Sequence, residues 1–352
     1  MGRHHHGCGG KGVWYVPKGE KNVDVLTETA LDMARRKEAP EASRLKCGAG
    51  ARSHAREARV RAIFIVSGCF SLVVMALIVL FLFREGIGLF GEVRPWDFIF
   101  GKLWYPTYDP PDFGILPLIT GSLLVTLVSS LIAVPLGVGA ALYLAEVASP
   151  RVREWVKPAV ELLASLPSVV LGFVGMVVIA PLMQEWLDLP TGLNIINASM
   201  MLALMAIPTI ASISEDALYA VPRDLPEASL ALGATPWETL VKVTIPGALS
   251  GISTGVILGM SRAMGETMVV LMVAGGAAQI PDLLGSFPGF LFESVRPLPA
   301  TIAAEMGETP YGGTHYHALF AIGMVLFFIT LGFNLLATWL SKRFQQKGAA
   351  TL

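Results

Sequence analysis

Val221 to Pro246 reads VPRDLPEASLALGATPWETLVKVTIP, a polar interruption between two long apolar runs, and its grammar is that of short helices. Asp224 with Glu227, and Thr235 with Glu238, are two acceptor-x-x-Glu pairs. In each, the first side chain can cap a helix start and the glutamate can reach back to it. Pro226 and Pro236 sit near a first turn, where a missing N–H costs nothing, and Gly233 lies where the first helix must stop. Two short helices are predicted. Connections between membrane helices need only a few residues. A loop this elaborate is expected to be a rigid foot offered to a soluble partner.

The rest of the chain sets the class. Of 352 residues, 53% are apolar and 15% charged, with mean hydropathy +0.61, far from the ~25% charged residues of an average soluble domain. This composition specifies a multi-span protein in a lipid bilayer and offers no basis for nucleic-acid binding. Three cysteines, Cys8, Cys47 and Cys69, are too few and too scattered for a disulfide framework or a zinc site. Six apolar runs follow: Ala62–Phe83, Leu116–Val147, Pro158–Met183, Asn194–Ala220, Gly247–Ile280 and Ala318–Leu340. Each can cross ~30 Å of hydrocarbon at ~1.5 Å per helical residue.

Of the 26 lysines and arginines, only Arg84, Arg94, Lys102 and Arg296 fall in segments that alternate away from the N-terminus, and Arg262 lies within a run. The positive-inside rule then places both termini and the Val221–Pro246 loop in the cytoplasm. Residues 1–61 read as a polar, structureless cytoplasmic tail with one weakly amphipathic stretch, Thr27–Lys37. The run His4-His5-His6 belongs to that tail and is not read as a metal site. A first run and outer loop (62–115), a core of five spans (116–341) with the foot at 222–246, and a short tail (342–352) complete the organisation. Trp96, Trp104, Tyr105, Tyr108 and Trp186 are expected at the membrane interface. The outer segment Pro281–His317 carries Glu293, Arg296, Glu305, Glu308, His315 and His317. Its two histidines point to different faces of a helix, so they mark a helix entry or docking surface and no metal site.

Inside the fifth run stands Ser261-Arg262-Ala263-Met264-Gly265-Glu266-Thr267. An arginine at mid-span costs ~2.5–3.5 kcal/mol on insertion scales. Arg262 and Glu266, four apart on one helix, can pair with each other. Arg262 can also line a polar pathway and hold a tetrahedral oxyanion in its planar fork, with Glu266 orienting it. Pro135, Gly137 and Gly139, then Pro167, Gly172 and Gly175, then Pro208, Thr209, Ser212 and Ser214, interrupt spans two to four. Close helix packing is a sufficient cause at any single position, and such residues also suit helices that rock between two arrangements.

The quoted stretch also resembles a family motif. Glu227-Ala228-Ser229, three residues, Gly233, nine residues and Val243-Thr244-Ile245-Pro246 follow the EAA pattern of ABC importer permeases, with Ser229, Val243 and Ile245 as mild departures. In that family the loop is a coupling helix seated in a groove of an ATPase, a role the resemblance gives to Glu227, Ala228, Ser229, Gly233, Ala234, Ile245 and Pro246. The segments beginning at Glu161 (ELLASLPSVV), Pro208 (PTIASISEDAL), Arg262 (RAMGETM) and Ala303 (AAEMGE) resemble the phosphate permeases, the C-type subunit above its A-type partner.

The resemblance implies an all-α integral membrane protein with six transmembrane helices and the type I (MetI-like) importer fold. It implies a phosphate pathway carrying Arg262, Glu266 and Thr267, and a pore shared with an A-type permease. An ATPase dimer holding ATP and magnesium would lie beneath, and an extracytoplasmic phosphate-binding protein above, in a prokaryotic cytoplasmic membrane. No cofactor is expected on this chain, which has no Gly-x4-Gly-Lys-Ser/Thr loop to cradle nucleotide phosphates. Sulfate and molybdate permeases share the Arg-Ala-x-Gly-Glu core and remain alternatives, as does a stand-alone secondary transporter. An intramembrane hydrolase would need a nucleophile and base that His315 does not obviously have.

Overall fold

A computed structural model describes residues 41–282 and 288–349. The His4–His6 run and Thr27–Lys37 lie outside them. The chain divides into two units, residues 1–76 and 77–352. In the first, the described part is one helix, α1 (Glu41–Gly88), which continues into the second unit. Helix therefore begins well before Ala62, inside the segment expected to be structureless.

The second unit is built from α2 (Pro95–Phe100), a two-stranded hairpin (β1 Trp104–Tyr105, β2 Asp112–Phe113), α3 (Leu116–Leu142), α4 (Pro150–Ser165), α5 (Ser168–Val174), α6 (Ala180–Leu187), α7 (Ile195–Tyr219), α8 (Asp224–Ala231), α9 (Pro236–Thr239), α10 (Ile245–Met264), α11 (Met268–Val273), α12 (Leu298–Glu305) and α13 (Thr314–Ala349). Among the described residues six helical stretches are long and apolar enough to cross a membrane: Val60–Gly91, Leu116–Val147, Ser168–Leu187, Ile195–Tyr219, Pro236–Met264 and Thr314–Trp339. The fold class read from the sequence is the one found.

α7 is the central post. Fully 67% of its most apolar window is buried within the chain, against none for the first span, and it packs most extensively on α3 and α10. Glycine makes the approach possible. A Cβ at Gly137 of α3 would lie 2.8 Å from the Cβ of Ile210, and one at Gly259 of α10 would lie 2.4 Å from its Cγ1. Ile210 is fully buried between them. Gly251, Gly255 and Gly259 repeat every fourth residue along one face of α10, the small-residue stripe by which membrane helices reach van der Waals contact without hydrophobic drive.

Two departures from the expected spans have physical causes. The third does not start at Pro158, because Leu166 and Pro167 take extended backbone and split the run into α4 and the span proper. The residue before a proline is biased out of the helical region. The fifth does not run to Ile280. α10 stops at Met264, and after Gly265-Glu266-Thr267 the chain makes only the short α11 before Gly275 and Gly276 turn it through positive φ (+93° and +76°). Segment 288–305 then folds back. Val295 N–H donates to the Ala274 carbonyl at 2.9 Å and Gly276 N–H to the Val295 carbonyl at 3.1 Å. Val295, Leu298, Ala300 and Thr301 are buried, so much of what was expected as an outer loop is core. It packs with Val125, Ile195, Met201, Val269 and Val270. Irregular backbone survives at membrane depth only when it is buried in protein or lines a cavity.

Candidate functional site: the coupling segment and the helix break

The foot is more tightly built than its sequence suggests, and differently at its two ends. Thr235 Oγ1 accepts from Glu238 N–H at 3.3 Å while Glu238 Oε2 accepts from Thr235 N–H at 3.0 Å, so the second capping box is complete. The first is not. α8 begins at Asp224 itself with Arg223 as its cap residue, and no side-chain cap bond forms. Asp224 and Glu227 sit instead in the first turn, where their charge favours the positive end of the helix dipole.

Gly233 stops α8 at φ +89°. Its N–H donates to Leu230 O and Ala234 N–H to Ser229 O, the paired bonds of a Schellman stop. Ser229 Oγ lies 2.9 Å from Thr239 Oγ1 and ties α8 to α9, a link that an alanine at the motif's third place could not make.

Both short helices expected here are present, but only α8 is self-contained. α9 runs through a wide π turn, Leu240–Thr244, directly into α10, so Ile245 and Pro246 lie inside one continuous helix. A proline there lacks the N–H for the Lys242 carbonyl and crowds it, and the widened turn relieves both. Glu227, Ala228, Gly233 and Pro246 are exposed; Ser229, Ala234 and Ile245 are half-buried. Leu232 is 90% exposed and Trp237 71%. Leu225 on the other side packs into the cluster of Ala141, Leu218, Val221, Ala248 and Ile252 that joins the ends of α3, α7 and α10.

Arg262 occupies the last turn of α10, Glu266 lies just past its end, and Thr267 precedes α11. The helix ends between Arg262 and Glu266, so the one-face geometry expected of them is absent, and no ion pair joins them among the described residues. The Arg262 side chain is exposed and makes no hydrogen bond or ion pair to any described residue. Next to it, Ser261 Oγ donates to Asn334 Oδ1 of α13. Glu266 is half-buried and lines a cavity of about 10 Å³ with Ser122, Thr126, Pro297 and Pro299, room for a single water. Thr267 Oγ1 bonds the Gly265 carbonyl, at 3.5 Å.

A third polar site escaped the sequence reading. Glu305, at the end of α12, accepts from Trp104 Nε1 (3.1 and 3.2 Å), from Arg296 Nη1 (2.6 Å) and lies 2.8 Å from His315 Nε2. Trp104 is 2% exposed and is therefore a core residue, in contrast to the interfacial role expected of it. Trp96, Tyr108 and Trp186 are exposed. His317 turns the other way, with Nδ1 2.9 Å from the Glu85 carbonyl, which is the opposite-face arrangement foreseen for the histidine pair. No group of three or more metal-ligating side chains occurs among the described residues. These contacts wall an open cavity of about 650 Å³ with Tyr105, Tyr108 and Gln279. Replacing Glu305 with alanine strands a half-buried guanidinium, an imidazole and a buried indole N–H. It is expected to destabilise the fold by about 3 kcal/mol, read as a lowered Tm in detergent, with Glu305→Gln losing less.

Residues 133–347 match the family described as binding-protein-dependent transport system inner membrane component. The chain belongs to this family. It is 38% identical over 288 residues to a probable ABC transporter permease protein, YqgH, of Bacillus subtilis, covering 81% of this chain and 91% of that one. It is 34% identical to the phosphate transport system permease protein PstC of Pasteurella multocida, covering 67% and 78%, and 30% identical to PstC of Haemophilus influenzae, covering 79% and 91%. Among solved structures, a bacterial ABC transporter involved in alginate import superposes at TM-score 0.50 and 16% identity, covering 78% of this chain and 96% of that one; this likeness concerns the fold alone. The permease is thus a multi-pass transport component.

Proposed function

We propose that this permease is the C-type subunit of an ATP-driven importer of inorganic phosphate. An arginine with no partner among the described residues, at a break in span five, carries the reading. Such a residue is stable in a membrane only beside a water-filled path or another subunit, and its fork suits a tetrahedral oxyanion. The names of the relatives at 34% and 30% identity support phosphate as that oxyanion.

A second, A-type permease would complete the pathway around Arg262, Glu266 and Thr267. An ATPase dimer, with ATP and magnesium bound there and not on this chain, would grip the exposed Leu232 and Trp237 beside Glu227, Ala228, Ser229, Gly233 and Ala234; an extracytoplasmic binding protein would deliver phosphate. Lysine and arginine placement supports both termini and the foot lying in the cytoplasm of a bacterial cell. ATPase closure would push the foot, tilt α7 and α10 through the Leu225 cluster, and present Arg262 to each side in turn, inward movement following from different ligand contacts in the two states.

The test is ATP-dependent uptake into vesicles holding the full complex, with phosphate, sulfate and molybdate in competition. Phosphate should outcompete the others by at least about tenfold. Preference for sulfate or molybdate would make this the permease for another oxyanion. Uptake without any ATPase would favour a secondary transporter.

A further inference from the structure

We infer that Lys157 and Glu215 form a positioning pair that carries movement of the coupling segment into the broken region of span five. The inference rests on the importer reading above. Glu215 lies one turn before the end of α7 and is 2% exposed, with Oε2 3.2 Å from Lys157 Nζ of α4. Among the described residues its other oxygen, Oε1, has no hydrogen-bond partner, and neither does the neighbouring Ser214 Oγ, itself fully buried. A buried ion pair with an open acceptor is a poor device for stability, since apolar residues of the same volume serve as well or better. Buried polar groups left without partners are rare enough to require a reason. A helix that must exchange contacts between two arrangements supplies one.

The placement of α4 says what is being exchanged. No residue of α4 is buried; two of its basic side chains, one turn apart, tie it to the neighbouring helix ends. Arg153 donates to the Leu144 and Ala145 carbonyls at the end of α3 and lies 5.1 Å over the Tyr219 ring at the end of α7. Lys157 holds Glu215. These are the same helix ends that receive Leu225 from the foot. Beyond α4, the extended pair Leu166-Pro167 leads into α5, where Gly172 lets α11 approach so closely that a Cβ there would sit 2.8 Å from Met272 Sδ. Leu171 packs in one core with Val269 and Val270, immediately after Glu266 and Thr267. Foot, α7 end, Lys157, α4, α5 and α11 therefore form one contiguous line of contacts.

The pair is tested in vesicles containing this chain, its second permease subunit, the ATPase dimer and phosphate-loaded binding protein, by counting phosphate moved per ATP hydrolysed. Lys157→Met and Glu215→Gln should each assemble and keep ATP hydrolysis within about twofold, while phosphate per ATP falls about tenfold. The double variant should be no worse than the worse single one, because the two residues act as a unit. Lys157→Arg should restore at least half the wild-type ratio. If Glu215→Gln fails to assemble, Lys157→Met, whose side chain is 37% exposed, still decides the matter. An unchanged ratio, additive losses, or uptake and hydrolysis falling together would overturn the pair's role. Wild-type vesicles that take up no phosphate with ATP would instead overturn the importer reading.

Discussion

Arg262→Ala is expected to abolish phosphate uptake while the complex stays assembled. The side chain is exposed and bonds to none of the described residues, so its loss orphans no acceptor among them and opens no cavity. What it removes is a bidentate donor at the helix break. Truncating one member of a desolvated charge pair costs ~2–5 kcal/mol, and even the lower half of that range is roughly a hundredfold in transport rate. Arg262→Lys should recover only part, because an ammonium is a point charge without the planar fork. Co-purification of the ATPase, set beside uptake of labelled phosphate, checks both halves. Assembled complex with undiminished uptake would end the anion-path reading.

Gly233→Val is expected to detach or uncouple the ATPase. No neighbouring atom lies within 4 Å of a Cβ built at this position, so the penalty is purely conformational. At φ +89° a β-branched residue is a severe outlier, and holding it there costs ~1–3 kcal/mol. The foot can escape that cost by unwinding the stop. It would lose the bonds of Gly233 and Ala234 to Leu230 and Ser229, and the Ser229–Thr239 link they align. Gly233→Asn, which tolerates left-handed backbone, should retain most coupling. Recovery of ATPase and phosphate moved per ATP give the readout, and a valine variant that behaves as wild type would show that the stop need not be rigid.

The parts of this architecture visible in the sequence are those written in local rules. The Thr235–Glu238 box and the Gly233 stop depend on residues within one or two turns, and the six apolar runs on length alone. The Asp224–Glu227 box did not form because the turn starts one residue early, with Leu225 N–H bonded to the Pro222 carbonyl and Glu227 N–H to the Arg223 carbonyl. Likewise, nothing in the continuous apolarity of Gly247–Ile280 reveals that the chain leaves the helix after Met264. Apolar content does not distinguish a helix through lipid from a folded-back segment buried among spans two to four. The pairing of Glu305 with Trp104, 201 positions away, and of Lys157 with Glu215 is nonlocal, and only the fold brings them together. Arg262, Glu266 and Thr267 could be singled out by side-chain chemistry alone, but not their spatial relation, since the helix ends at Met264 between Arg262 and Glu266.

The π turn at Leu240–Thr244 has a rotational consequence. A turn of this kind holds one more residue than its α counterpart, and one residue of α-helix is about 100° of azimuth. The angular offset between Trp237 on the foot and Arg262 at the far end of the same rod is set by that surplus residue, much as a keyed shaft fixes the timing of two cams. Deleting a single amino acid from Leu240–Thr244 would turn the far part of the rod, the guanidinium with it, roughly a quarter-turn out of phase with Trp237.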